Sequence, residues 1–292
     1  MLVPSSVDDL VDAVRAYPQA LPVGERTKPS MVPSDAETIS CRGLSGILEY
    51  EPSEYTFTAS AGTSLLEIEA ALGKYGQYLP FEPPLAESGA TLGGMIASGL
   101  NGPGTFRFGG IRDFILGARF LTRDGRLLRS GGKVVKNAAG FDVPKFLVGS
   151  RGEWGTVVDA TFKVFPQPPN SRTVRISFET MEDAVTQVCL WTREPWEFDA
   201  MEIDVHPARV TLRLRGDDVS LTDRVARLQT GCPAESEVLE DEAADQYWKM
   251  SREFTWSGSD MALVKSPTRP KEISFLESKL GEGMKRRYSV GG

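Results

Sequence analysis

Apolar residues recur at helical spacing at Val7, Leu10, Val11 and Val14, directly behind Ser5 and Ser6, which predicts a serine-capped helix ending before Pro18. "ALPVGERTKPS" then reads as a short strand running into a loop. "GILEYEP" and the alternating "YTFTASAG" are strand-like, and "TSLLEIEAALGKYG" predicts a capped amphipathic helix closed by Gly73 or Gly76. From Leu116 to Ser130, "LGARFLTRDGRLLRS" predicts two strands joined at Asp124-Gly125, a dipeptide suited to the positive φ of a tight hairpin. "TVVDATFKVFP" adds another strand, and "PQPPN" at Pro166–Asn170 breaks regular structure, which sets a domain boundary there.

Beyond that boundary, "RTVRISF", "FDAMEIDV" and "RVTLRLRG" read as strands, and "MEDAVTQVCLWTRE" and "SLTDRVARLQT" as helices. Further expectations are a helix around Ala243–Phe254, a strand at "MALVKS" and a helix from about Lys271 to Leu280. A closing strand-like "RRYSVGG" leaves two readings, an unusually short domain or a missing C-terminus. The pattern gives an α+β protein of two parts, residues 1–169 and a smaller antiparallel-sheet part, 170–292.

Charge and cysteine usage narrow the chemistry. A net charge of −7 over 292 residues argues against a surface that coats nucleic acid, so any anionic ligand must be held by local geometry. Cys41, Cys189 and Cys232 are far apart, with no CxxC pair for zinc, a redox dithiol or an iron–sulfur cluster. No metal site is expected. No basic leader or bilayer-length apolar run is present, so the expected location is cytoplasmic, with any contact to the inner membrane made through a complex.

The stretch "ESGATLGGMIASGLNGPG", Glu87–Gly104, then stands out for its small residues. Thr91 can cap a short helix through Gly93, Gly94, Met95 and Ile96 that ends at Gly99, leaving amides free for an anion. The same residues equally suit a close helix–strand crossing. The spacing is neither G-x-G-x-x-G in a βαβ setting nor a phosphate loop with G-K-[ST]. A second turn, "PVGERTKP" (Pro22–Pro29), and the long "KNAAGFDVPKFLVGSRGEWGTVVDATFKVFP" add two more small-residue loops.

In this order, from Pro4 to about Pro169, these stretches resemble the FAD-binding domain of the p-cresol methylhydroxylase/vanillyl-alcohol oxidase family, a two-subdomain fold. Lys136, Asn137, Gly140, Phe141 and Asp142, followed by Gly149, Ser150, Gly152 and Gly155, are similar to the glycolate oxidase and D-2-hydroxyacid dehydrogenase branch. The region "GGIRDFILGARFLTRDGRLLRSGGKVVKNAAGFDV" looks most like the small flavin-binding subunits of bacterial glycolate oxidases. The resemblance implies that FAD is held by Val23, Gly24, Glu25, Arg26, Thr27 and Lys28 on one side. On the other it implies Ser88, Gly89, Thr91, Gly93, Gly94, Ser98 and Gly99, with Asp113, Gly152, Gly155 and Val157.

Two departures stand against the family pattern. Glu25 and Arg26 occupy positions where family loops carry small residues; a glutamate there repels a diphosphate unless it turns away, whereas Arg26 could donate to it. The single histidine, His206, lies in the second part, so a histidine-based substrate site is not expected and FAD should be noncovalent. Arg213 and Arg215 could face a carboxylate or simply line an exposed sheet face. By resemblance, partners are a larger FAD-binding catalytic subunit and an iron–sulfur subunit, with a small 2-hydroxyacid oxidised on the complex. A non-catalytic assembly module and a stand-alone flavin oxidoreductase remain open.

Overall fold

The computed structural model describes residues 1–33, 35–132, 141–258, 262–281 and 283–291. The chain divides into two units, one of residues 1–102 and 110–167, the other of 103–109 and 168–292.

The first unit opens with α1 (Val7–Ala16), N-capped by the Ser6 hydroxyl, which accepts from the Asp9 amide. β1 (Leu21–Val23) and β2 (Thr38–Ser40) then pair in parallel, Val23 opposite Ser40. β3 (Ile47–Glu51), β4 (Thr56–Ser60), α2 (Leu65–Gly73), β5 (Gln77–Tyr78) and α3 (Leu92–Ser98) follow. The short α4 (Thr105–Phe108) belongs to the second unit; α5 (Ile111–Phe114), β6 (Ile115–Leu121), β7 (Leu127–Gly131), α6 (Val143–Leu147), β8 (Thr156–Lys163) and β9 (Phe165–Pro166) return to the first. Its main sheet is antiparallel, in the order β3-β4-β8-β6-β7. Phe57, Phe81, Phe114 and Phe162 are fully buried and pack ring against ring, Phe81 to Phe114 with centroids 5.3 Å apart.

The second unit contains β10 (Asn170–Ser177), α7 (Met181–Trp191), β11 (Ala200–Asp204), β12 (Arg209–Gly216), α8 (Asp218–Gly231), β13 (Glu235–Leu239), α9 (Asp241–Glu253), α10 (Ile273–Glu277) and β14 (Arg287–Ser289). Its antiparallel sheet runs β13-β10-β12-β11-β14. Val188, Trp191, Phe198, Leu212 and Leu228 form part of one buried cluster between sheet and helices. This is the α+β architecture with antiparallel sheets that the residue pattern predicts.

Several local expectations change. The hairpin connection is five residues long, Thr122–Arg126, closed by the Thr122 amide on the Arg126 carbonyl at 3.0 Å; Gly125 takes φ +74°. Residues 262–266 of "MALVKS" form no strand, and Met261 lies outside the described residues; Leu263 and Val264 are exposed, so no apolar face is buried to hold one. The expected helix at 271–280 is α-helical only over Ile273–Glu277, after a 3-10 turn at Pro270–Glu272. β2, β13 and α6 are too short or too polar to announce themselves by periodicity.

Candidate functional site

Three backbone segments of the first unit converge on one groove of about 790 Å³. The first is the loop leaving β1, contributing Val23, Gly24, Glu25, Arg26, Thr27 and Lys28. The second is the start and end of α3, with Thr91, Gly93, Gly94, Ala97 and Ser98; the third runs from Ser150 through Gly152 and Gly155 to Val157 at the start of β8.

The glycines are what allow this convergence. A Cβ on Gly24 would stand 2.2 Å from the Thr91 hydroxyl, and one on Gly93 would meet the Ala61 Cβ at 2.9 Å. A Cβ on Gly152, at φ +78°, would be 2.5 Å from Pro22 Cγ. The small residues are thus required by close packing of the segments, and that packing is what forms the groove. Thr91 caps α3 by accepting from the Gly94 amide at 3.2 Å, and Gly99 ends it at φ +62°. The Gly149 and Arg151 amides donate to the Ile96 and Ala97 carbonyls at 2.9 and 2.8 Å, which ties the third segment to the end of α3.

The loop after β1 offers the donors. Among the described residues, the amides of Glu25, Arg26 and Thr27 have no protein acceptor, and the Arg26 side chain makes no hydrogen bond or ion pair. Arg26 holds φ +56°, the left-handed conformation that glycine adopts most readily, so the chain keeps the loop's shape at some backbone strain. Glu25 turns toward Arg42, its carboxylate 3.9 Å from the guanidinium. Consecutive free amides with an adjacent cation are the donor set a diphosphate requires, and the residues present fit an extended dinucleotide.

The groove also contains residues outside the predicted set. Met31, Val32, Cys41, Ala61 and Ala97 give it an apolar wall. Cys41 is buried, and desolvation pushes its thiol up to about 12, so it is not a thiolate nucleophile at neutral pH. Nothing local marks these residues; β1–β2 pairing and α3 packing bring them together.

Four other predicted residues do not line the groove, although Gly89 and Gly99 pack beside it, an added Cβ reaching Glu25 Cβ at 4.0 Å and Gly149 Cα at 3.0 Å respectively. Ser88, Gly89, Gly99 and Asp113 are not part of the groove wall. The Asp113 carboxylate instead accepts from the Gly110 amide at 2.9 Å at the start of α5. Trp154 is exposed, outside the groove, with its ring centroid 5.4 Å from that of Phe146. Asp142 caps α6 and pairs with Lys145 at 3.0 Å; Lys136, Asn137 and Gly140 lie outside the described residues.

In the second unit, Arg213 is buried rather than on an exposed face. Both Arg213 Nε and Nη2 stand 2.9 Å from Asp199 Oδ2, and Arg215 Nη1 is 3.2 Å from the same oxygen. Arg287 Nε donates to Asp204 at 2.7 Å, with Nη1 3.5 Å from Glu202, and Arg175 pairs with Glu237 at 3.2 Å. Burial is the largest influence on Glu202 and raises its pKa; Ser251 donates a hydrogen bond to it. His206 lies in the exposed turn between β11 and β12, Nε2 3.3 Å from Arg286.

The groove and its donors form a site suited to an extended dinucleotide lying along exposed main chain. Residues 1–131 match the family model described as an FAD binding domain, which indicates FAD as the cofactor. The chain is 37% identical over 221 residues to glycolate oxidase subunit GlcE of Escherichia coli (strain K12), covering 76% of this chain and 59% of that protein. It is 33% identical over 157 residues to a D-lactate dehydrogenase of Archaeoglobus fulgidus, covering 53% of this chain and 35% of that one. The chain therefore spans less than two thirds of the length of either relative. A solved alkyldihydroxyacetonephosphate synthase shares the fold, with TM-score 0.69 and 18% identity over 85% of this chain and 53% of that one.

Proposed function

We propose that this chain is the small flavin-holding subunit of a complex of glycolate oxidase type, in which a 2-hydroxyacid is oxidised to a 2-oxoacid and the electrons pass onward. FAD is held noncovalently in the first unit: the amides of residues 25–27 and the Arg26 guanidinium take the diphosphate, and the apolar wall excludes water beside it. Bound flavin supplies a two-electron acceptor that can release electrons singly.

The observation that carries the division of labour is in the second unit. Arg213, Arg215 and Arg287 are neutralised by the chain's own Asp199, Asp204 and Glu202, and the sole histidine sits in an exposed turn. Orienting a hydroxyacid needs a cation for its carboxylate and a base for its hydroxyl proton. A larger FAD-binding subunit is the partner that supplies them, and an iron–sulfur subunit receives the electrons. The similarity to a glycolate oxidase subunit supports this reading. Among the described residues no helix is long and apolar enough to cross a membrane, and a cytoplasmic place is proposed, with any membrane attachment made through the complex.

The test is purification of the chain alone. Acid-releasable FAD with little turnover of glycolate is expected; vigorous turnover by the isolated chain defeats the division of labour, and a colourless protein that takes up no FAD at saturation leaves an assembly module.

A further inference from the structure

Glu25 places a carboxylate on the wall of a groove whose neighbouring amides and arginine suit a diphosphate. Two anionic groups on one wall repel each other unless a cation pairs with one of them. Arg42 is that cation, although it does not itself line the groove.

Its placement follows from strand register. β1 and β2 are parallel with Val23 opposite Ser40, so Glu25 and Arg42, each two residues further on, leave the two strands side by side. Ser40 fixes the geometry: its hydroxyl accepts from the Arg42 amide at 3.4 Å and lies 3.5 Å from the Gly24 carbonyl. Gly62 packs against the same turn, where a Cβ would come within 2.8 Å of Arg42 Cα. Arg26, in its left-handed conformation, is left out of this pairing and makes no ion pair among the described residues.

We infer that Arg42 is a positioning residue for the cofactor: it draws the Glu25 charge aside, so that the loop presents Arg26 and its free amides, rather than a carboxylate, to the FAD diphosphate. The inference rests on the flavin reading of the groove. As an exposed pair, Glu25–Arg42 adds little to folding, so its effect belongs to binding and not to stability.

The experiment measures FAD affinity of the full chain by quenching of flavin fluorescence, for wild type, Arg42→Gln, Glu25→Gln, Arg42→Lys and the double variant E25Q/R42Q. Arg42→Gln is expected to weaken binding about five- to tenfold at low salt, a loss that shrinks as salt screens the exposed carboxylate. Glu25→Gln should bind at least as tightly as wild type. The double variant should return to within about twofold of Glu25→Gln, because the charge that Arg42 masks is gone. Arg42→Lys keeps the cation and should stay within about threefold of wild type.

A structural role for Arg42 predicts the opposite, with the double variant as weak as Arg42→Gln; that result, or unchanged affinity in Arg42→Gln, overturns the inference while leaving the flavin reading intact. Should Arg42→Gln not fold, the inference stands or falls on Arg42→Lys retaining affinity and Glu25→Gln not losing it. Absence of FAD binding by wild type at saturation overturns the flavin reading and this inference together.

Discussion

Asp199 Oδ2 receives both Nε and Nη2 of Arg213 at 2.9 Å, in a pair whose side chains are 1% and 4% exposed. The pair lies at the centre of the second unit's sheet, with Arg213 also 4.7 Å over the ring of Trp248. Removing one partner strands a buried charge. Asp199→Ala is expected to destabilise the second unit by about 3–5 kcal/mol, read from urea unfolding followed by tryptophan fluorescence. A loss below about 1 kcal/mol would mean that the pair is open to water and able to meet an external carboxylate.

Gly24→Ala tests the convergence of segments. Its Cβ has no room beside the Thr91 hydroxyl, so the loop after β1 must shift and FAD binding should fall by at least about tenfold, with a loss of stability of about 1–3 kcal/mol. Gly73→Ala is the control. That glycine ends α2 with nothing within 4 Å of the added carbon, and the substitution should leave FAD binding unchanged and stability equal or slightly higher. Equal effects of the two substitutions on FAD titration would contradict the groove geometry.

Cys41 lines the groove as a buried, protonated thiol. Native protein at neutral pH should leave this cysteine unmodified by a thiol reagent, with reaction appearing only on denaturation. Precipitation with acid should release all flavin to the supernatant. Flavin retained on the peptide containing Cys41 would show a covalent link and refute the noncovalent assignment.

Two carboxylates should titrate in opposite directions. The Asp217 pKa is lowered by the Ser220 hydroxyl and amide at the start of α8, so its contribution to stability is present above the ordinary aspartate value and is lost as pH falls through the lowered one. Glu202 is raised, chiefly by burial, so its contribution is present below the ordinary glutamate value and is lost as pH rises from there through the raised one. Carboxyl carbon NMR titration of wild type, with Asp217→Asn and Glu202→Gln for assignment, reads both directions. A Glu202 midpoint at or below the usual range contradicts its burial.

Much of the site was legible in the local pattern. Thr91 as cap, Gly99 as stop and the glycines between them follow from capping chemistry, and α3 begins and ends where that chemistry places it. The loop after β1 was equally readable as a candidate for phosphate. The conflict at Glu25 was visible too, but its resolution was not, because Arg42 is distant in sequence and reaches Glu25 only through parallel pairing of two three-residue strands. Such strands carry no periodicity to read.

The second unit shows the same division. Alternation along "RVTLRLRG" identified β12, yet alternation alone leaves open whether the arginine face meets solvent, a ligand or protein. Covering helix α9 and the neighbouring strand decide it, by burying Arg213 against Asp199 and Trp248. The "MALVKS" stretch failed for the converse reason: its composition suits a strand, but Leu263 and Val264 stay exposed.

From its residues alone the chain determines its helix caps, its strand alternation and the backbone freedom of its loops, since these depend on neighbours a few positions apart. Tertiary structure alone decides which charges cancel. Electrostatic partners are chosen by distance in space, and Arg42 at Glu25 and Asp199 at Arg213 become neighbours only once the sheets have formed.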